Sequence, residues 1–450
     1  MKRKVIAVLL ASMMAFGLTA CGGSNGGSSD TGTSGGDGGS ADTGSADAGA
    51  SSASGDTIRL VNGKIEIDAQ LKKLAEMYKE ETGVTVEIES MGGGIDIQGT
   101  LKGYYQAGNM PDIFVNGGAT DFANWEGMLE DMSGEAWASD TDAAYVDANG
   151  TIGFPYTVEA VGLAYNADIL EKAGIDPATL TGPDAIKTAF ETLDAKKADL
   201  GIDAVVGYCA EATNLYWSTG NHVFANYLDA GLDREDTTYI DMLNDGGKLD
   251  EARLTDFANF VGLLNQYSDP ALLVSGTYDQ QILNFASGKY AFVTQGSWIG
   301  ATMTTADADA YAAAGNFKVG MIPYAFQDGI DTILTNSPSW WAVFSDGNKD
   351  AAKAFLQWCS ESTAQQVLVE EAGFISPFKS CTFVASDPFA QTIIDYQGAG
   401  KTSAWHWLGM KEGLAQNFTG QVFNDYAAGR LDAAGFVKTM QQVVQACYAN

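Results

Sequence analysis

Histidine is nearly missing from this 450-residue chain, which has only His222 and His406. Neither has a second histidine or a cysteine at ligand spacing and no H-E-x-x-H occurs, so no metal is expected and His222 reads as an ordinary helix or loop residue. Positive charge is scarce as well: 25 Lys and Arg stand against 57 Asp and Glu, a formal net charge of −32. A chain this acidic repels phosphate backbones and anionic headgroups, so neither a nucleic-acid partner nor electrostatic docking on a membrane is expected. Cysteine is rare and no C-x-x-C occurs. Cys209, Cys359, Cys381 and Cys447 read as buried thiols, with a Cys359–Cys381 bridge as the alternative. The calcium-loop fragment Asp147-Ala148-Asn149-Gly150 lacks its leading aspartate and closing glutamate and reads as a turn. Carboxylates are too numerous for any one pair to mark a glycosidase. Nothing in these residues requires an enzyme or a cofactor.

What is present begins with an address. Lys2, Arg3 and Lys4 precede an apolar run, Val5 to Phe16, too short to span about 30 Å of hydrocarbon. Leu18-Thr19-Ala20-Cys21-Gly22 then resembles a bacterial lipobox. Residues 1–20 are expected to be a cleaved lipoprotein signal peptide, and Cys21 an acylated first residue that holds the protein on the extracytoplasmic face of the cell membrane. Between Gly22 and Asp56 there are 12 Gly, 9 Ser and 5 Asp, with no Lys, Arg, aromatic or branched aliphatic residue. Such a segment cannot bury enough apolar surface to offset its ordering entropy. Residues 21–56 thus read as anchor and disordered tether, with a coil reach of roughly 30 Å.

From Thr57 the pattern is α/β. Ile58 to Val61 reads as a strand; Leu71, Leu74, Ala75 and Tyr78 recur at helical spacing before Gly83; Val84, Val86 and Ile88 alternate as a strand. Ile95 to Ala107 reads as a helix and Asp112 to Val115 as a third strand. This order implies a parallel sheet with ligand at the strand carboxyl ends, making Ser90 to Gly94 and Asn116 to Thr120 candidate binding loops.

Met110-Pro111-Asp112-Ile113-Phe114-Val115 resembles the strand signature of family 1 extracellular solute-binding proteins, the maltose-binding-protein-like receptors of ABC importers. Ile152 to Ala160, followed by Leu163-Ala164-Tyr165-Asn166, is similar to their first hinge crossing. Phe285 to Phe292, ending in Gly296-Ser297-Trp298, resembles a further segment. Ala351 to Leu356 resembles the helix near their second hinge, and Gly373-Phe374-Ile375-Ser376-Pro377 their third crossing. The resemblance implies an α/β, two-lobed periplasmic-binding-protein-like fold, each lobe a mostly parallel sheet flanked by helices, with three hinge crossovers. Lobe 1 would hold residues 57–157 and 325–375, lobe 2 residues 158–324 and 376–450. It further implies a monomer that binds a carbohydrate, oligosaccharide-sized, between the lobes and delivers it to an ABC permease. A lipoprotein enzyme acting on glycans, or a receptor for a polyol or peptide, are the alternatives.

Sugar rings offer a flat C–H face to aromatic rings and a girdle of hydroxyls to polar groups. All nine tryptophans lie beyond residue 120. Trp298, just after Gly296-Ser297 at a strand end, is the first stacking candidate. Trp340 and Trp341 alternate in direction on a strand, so at most one faces the cleft, and Trp358 reads as core within a helix. The resemblance adds Trp407, with Trp405 beside it, and more loosely Trp217. It also implies that Glu159 accepts sugar hydroxyls from the cleft floor. Gln295 neighbours Trp298. Asn116 stands where the family often has an aromatic. The candidate ligand-binding set is therefore Asn116, Glu159, Trp217, Gln295, Trp298, Trp340, Trp405 and Trp407. Phosphorylated sugars are not expected, because Lys and Arg hardly occur in the candidate loops.

Overall fold

The computed structural model describes residues 56–91 and 95–449; the lipobox, most of the tether and Gly92 to Gly94 lie outside them. The opening rhythm is strand β1 (Thr57–Asn62), helix Asp68–Thr82, strand β2 (Thr85–Ser90), helix Ile97–Gln106 and strand β3 (Ile113–Asn116). The first helix buries Leu71, Leu74, Ala75 and Tyr78, one stripe at three- and four-residue spacing. It stops at Gly83, whose left-handed φ of 81° lets its N–H bond the Lys79 carbonyl.

β1 lies between β2 and β3 and runs parallel to both. Strand β4 (Tyr145–Asp147) forms a hairpin with β5 (Gly150–Pro155), turned by Asn149 N–H donating to Asp147 Oδ1 at 2.7 Å. The second body holds β7 (Leu163–Asn166), β8 (Ala204–Gly207), β9 (Tyr290–Val293) and β10 (Val319–Ile322), in the order β10-β7-β9-β8. A small sheet packed in the second body joins β6 (Glu159–Val161), β11 (Ile333–Asn336) and β13 (Thr402–Ser403), and β12 (Trp340–Val343) completes the first sheet in the order β2-β1-β3-β12-β5-β4.

The sheets are mixed, where mostly parallel ones were expected. β12 pairs antiparallel with both β3 and β5, and in the second body only β8 and β9 are parallel. The reason is chain direction. β1 to β3 run toward the middle of the molecule, whereas β12 follows β11 and so starts there, with Trp340 opposite Asn116.

The chain passes between the bodies three times: from Pro155 to Glu159, from Asn336 to Trp340, and beyond Phe378, which still packs in the first core against Phe154. The crossings are tied together, since Val158 N–H donates to the Ile375 carbonyl at 2.9 Å and Tyr156 bonds Ser339 through their hydroxyls. One core gathers Leu60, Ile113, Phe154, Trp341, Phe355 and Trp358. Two further clusters fill the second body, with Tyr324, Phe326 and Ile330 among them. Trp358 packs against Tyr78 at 5.2 Å and its Nε1 donates to Glu81 at 3.0 Å. The four described cysteines are free, so the Cys359–Cys381 bridge does not form; Cys359 points into the first core from the helix Lys349–Cys359. No helix among the described residues is long and apolar enough to cross a membrane.

Candidate functional site

The second body supplies an aromatic wall. After β8 the chain enters a helical run that widens into a π-helical turn, Ser218–Val223. Gly220 within it lets a second π-helical turn, Ala415–Thr419, approach closely: a Cβ there would lie 2.8 Å from that of Ala415. The widened turn presents His222 among four indoles. Its ring centroid is 4.8 Å from Trp298, 5.1 Å from Trp407, 5.5 Å from Trp217 and 6.1 Å from Trp405. The ring of Trp298 folds back over Gly296, where any side chain would collide with it. Burial without a counter-charge pulls the His222 pKa down to about 3, so the imidazole is neutral at physiological pH. Nδ1 of His222, Nε1 of Trp405 and of Trp407, and Oε1 of Gln295 are buried without a hydrogen-bond partner among the described residues.

Trp405 and Trp407 are held by the residue between them. His406 donates its backbone N–H to Asp229 Oδ2 at 3.0 Å, and its Nδ1 lies 2.6 Å from Asp229 Oδ1. Asp229 raises the His406 pKa above its ordinary 6.5, against the opposing effect of burial. Burial in turn pushes the Asp229 carboxyl above the usual carboxylate range, His406 opposing. A histidine whose folded pKa is raised contributes stability in full below 6.5 and loses it as pH rises through the folded value. Unfolding free energy is therefore expected to fall as pH increases from 6.5, with a shallower fall in His406→Gln. Denaturant titrations of both proteins at several pH values check this; equal slopes would exclude the pair as the source.

The first body contributes the ends of its strands. Lys64, just beyond β1, pairs with Glu159 Oε1 at 2.8 Å and lies 5.9 Å from the Phe374 ring. Tyr278 is beside them, its phenol pushed up to about 12 by burial and further by Glu159. Asn62 donates to the Lys64 carbonyl at 2.6 Å and its Oδ1 is buried without a partner among the described residues. Gly118, at φ 143°, faces Leu408 so closely that a Cβ would sit 3.3 Å from the Leu408 carbonyl. A cavity of 320 Å³ opens there, lined from one side by Gly117 and Asp121 and from the other by Tyr216, Trp407 and Lys411.

Of the residues singled out in the sequence, Trp217, Trp298, Trp405 and Trp407 meet around His222, and Glu159 pairs with Lys64. Gln295 is buried behind the wall, its Nε2 donating to Ser218 Oγ at 3.0 Å and to Gln281 Oε1 at 2.9 Å. Asn116 is fully buried, with Oδ1 accepting from Gln98 at 3.3 Å and Nδ2 without a partner among the described residues. Trp340 stands apart from the aromatic group. It packs against Tyr145 at 5.3 Å and Phe122 at 6.2 Å, and its Nε1 donates to the Ala143 carbonyl at 2.6 Å. The sequence reading passes over Lys64 and takes His222 for an ordinary helix or loop residue, whereas it sits at the centre of the indoles. A signal for His222 exists in the run Tyr216 to His222, where aromatics sit five residues apart.

Two α/β lobes crossed three times by the chain, with an aromatic wall facing strand ends, define a protein that takes a small molecule between its lobes. The chain belongs to the bacterial extracellular solute-binding protein family, whose model matches residues 73–393. A xylose/arabinose-binding protein of Haloferax volcanii, XacG, is 25% identical over 320 residues, 64% of this chain and 64% of that protein. The match thus spans under two thirds of that relative's length. Similar solved structures include RafE from Streptococcus pneumoniae, with TM-score 0.63 and 16% identity over 88% of this chain and 99% of that one. A putative binding protein, MsmE, from Bacillus subtilis in an open conformation has TM-score 0.66 and 19% identity over 86% and 96%. The GacH receptor of Streptomyces glaucescens has TM-score 0.62 and 18% identity over 88% and 99%. These likenesses establish the fold.

Proposed function

We propose that the protein is a carbohydrate receptor that closes on an oligosaccharide between its lobes and hands it to an ABC permease. The observation that carries this reading is the ring of four indoles around His222, in which His222 Nδ1 and the Nε1 atoms of Trp405 and Trp407 are buried without a partner among the described residues. Such a wall offers faces to C–H surfaces and N–H groups to hydroxyls. RafE has been solved with raffinose, GacH with acarbose and a Bacillus licheniformis sugar transporter of the same fold with stachyose, which supports a sugar of that size here. The role read here is binding without catalysis, as in the solute-binding family; Glu159 is paired with Lys64 at 2.8 Å, and its charge joins burial in raising the Asp387 carboxyl to about 7. Residues 1–20 would be removed and Cys21 acylated, keeping a monomeric receptor tethered outside the membrane.

The experiment is a thermal-shift screen of raffinose, stachyose, maltotriose, xylotriose and chitotriose, followed by chromatography of the incubated sugars. A receptor gains stability as RT ln(1 + [L]/Kd) and leaves the sugar intact. Product formation would replace it with the glycan-acting enzyme, and a shift with a peptide or polyol alone would replace the ligand class. In cells, Cys21→Ser is expected to release the protein from the membrane fraction; retention would remove the anchor.

A further inference from the structure

His222 is the polar centre of the aromatic wall, and its surroundings differ sharply from those of His406. His406 has the Asp229 carboxylate at 2.6 Å, whereas no charged group of the described residues acts on His222, whose ring neighbours are Trp217, Trp298, Trp405 and Trp407. The π-helical turn that carries it is fixed from behind, by Gly220 against Ala415 and by Ser218 accepting from Gln295 at 3.0 Å. π-helical turns of this kind concentrate at functional sites. A buried nitrogen left unpartnered in such a fixed frame is costly unless something else bonds it. Three are grouped here: Nδ1 of His222 and Nε1 of Trp405 and Trp407.

The chemistry of that set is selective. An indole N–H only donates, while a neutral imidazole nitrogen accepts in one tautomer and donates in the other. A hydroxyl satisfies both, accepting from an indole and donating to Nδ1. Against these three nitrogens a charged ligand would lose its hydration and find only neutral rings, with Lys64 held by Glu159. We propose that His222 is the specificity-determining residue of the cleft, and that with Trp405 and Trp407 it reads neighbouring hydroxyls on an uncharged saccharide ring. This rests on the reading of the cleft as a sugar site.

The test uses calorimetric titration of the full chain with the tightest binder among raffinose, stachyose, maltotriose, xylotriose and chitotriose, and with its monodeoxy derivatives and a uronic-acid analogue. His222→Phe keeps a flat ring among the indoles and removes both nitrogens; about tenfold weaker binding is expected, with a denaturation midpoint no lower than that of the natural chain. His222→Gln restores a donor and an acceptor and is expected to recover part of the loss. One monodeoxy sugar should bind the natural chain about tenfold more weakly, and that sugar should not distinguish His222→Phe from the natural chain. The uronic-acid analogue should bind less well than its neutral parent. If no saccharide in the panel binds the natural chain, the sugar reading fails and takes this inference with it. If one binds but every monodeoxy derivative binds equally, or His222→Phe binds undiminished, the sugar reading stands and the role of His222 is overturned. Tighter binding of the uronic-acid analogue would overturn it equally.

Discussion

Trp298→Ala is expected to weaken sugar binding by at least about 2 kcal/mol, more than tenfold in Kd, while costing the fold far less than a core deletion. Its indole is partly exposed and sits between two surfaces: the backbone of Gly296, which it covers, and the imidazole of His222 at 4.8 Å. Removing it takes away a stacking face and opens the flank of His222 to water, so part of the loss is indirect. The measurement is calorimetric titration paired with denaturant unfolding in the absence of ligand. Normal affinity with a large drop in stability would make Trp298 a core residue and displace the sugar from this wall. Lost affinity with retained stability is the expected pattern. Trp358→Ala should show the opposite pattern, since that ring lies in the first core against Tyr78, away from the aromatic wall.

Local signals in the sequence read well because local physics produced them. The stripe Leu71, Leu74, Ala75 and Tyr78 is a helix because those side chains share one face, and Gly83 ends it because it accepts a left-handed φ of 81°. The alternation of β1 and β2 survives because each strand pairs in register, Ile58 with Val86 and Leu60 with Ile88. The parallel direction of β1, β2 and β3 is legible in their alternation with helices, but the direction of β12 was beyond such signals. β12 enters beside β3 from a crossing more than two hundred residues later in the chain, and nothing in Trp340 to Val343 records which way its neighbours run.

The site divides along the same line. Trp298, Trp405 and Trp407 are nameable because they follow recognisable strand ends and motifs. Trp217 and His222 lie five residues apart, a spacing that an α-helix sends to different faces. The π-helical turn pairs i with i+5 and brings their rings to 5.5 Å. That widening depends on packing against the turn Ala415–Thr419, which is remote in sequence. Lys64 is hidden for a similar reason, since its partner Glu159 is 95 residues away and charge alone does not reveal which acid it meets. Both omissions are tertiary: the residue types were visible, and the fold decided what they face.

Trp341→Ala is expected to give the largest loss of stability, about 3–5 kcal/mol, with affinity per folded molecule retained. Trp340 and Trp341 point to opposite sides of β12, as strand alternation requires. Trp340 packs with Phe122 and Tyr145, while Trp341 is fully buried in the first core, 4.6 Å from the Tyr156 ring and 6.0 Å from that of Phe154. Phe154 in turn meets Trp137 at 4.9 Å and Tyr156 meets Phe374 at 5.7 Å, so the indole joins a string of rings running from the lobe interior to the crossings. A cavity there has few ways to collapse, because β12 is fixed by β3 on one side and β5 on the other. Trp341→Phe separates ring volume from ring chemistry. It keeps an aromatic filler and deletes a buried indole N–H that has no partner among the described residues, so it should retain most of the stability that alanine loses. Denaturant unfolding without ligand measures both variants. A loss under about 1 kcal/mol for Trp341→Ala would mean that the string of rings repacks and that the first lobe is not held together at β12.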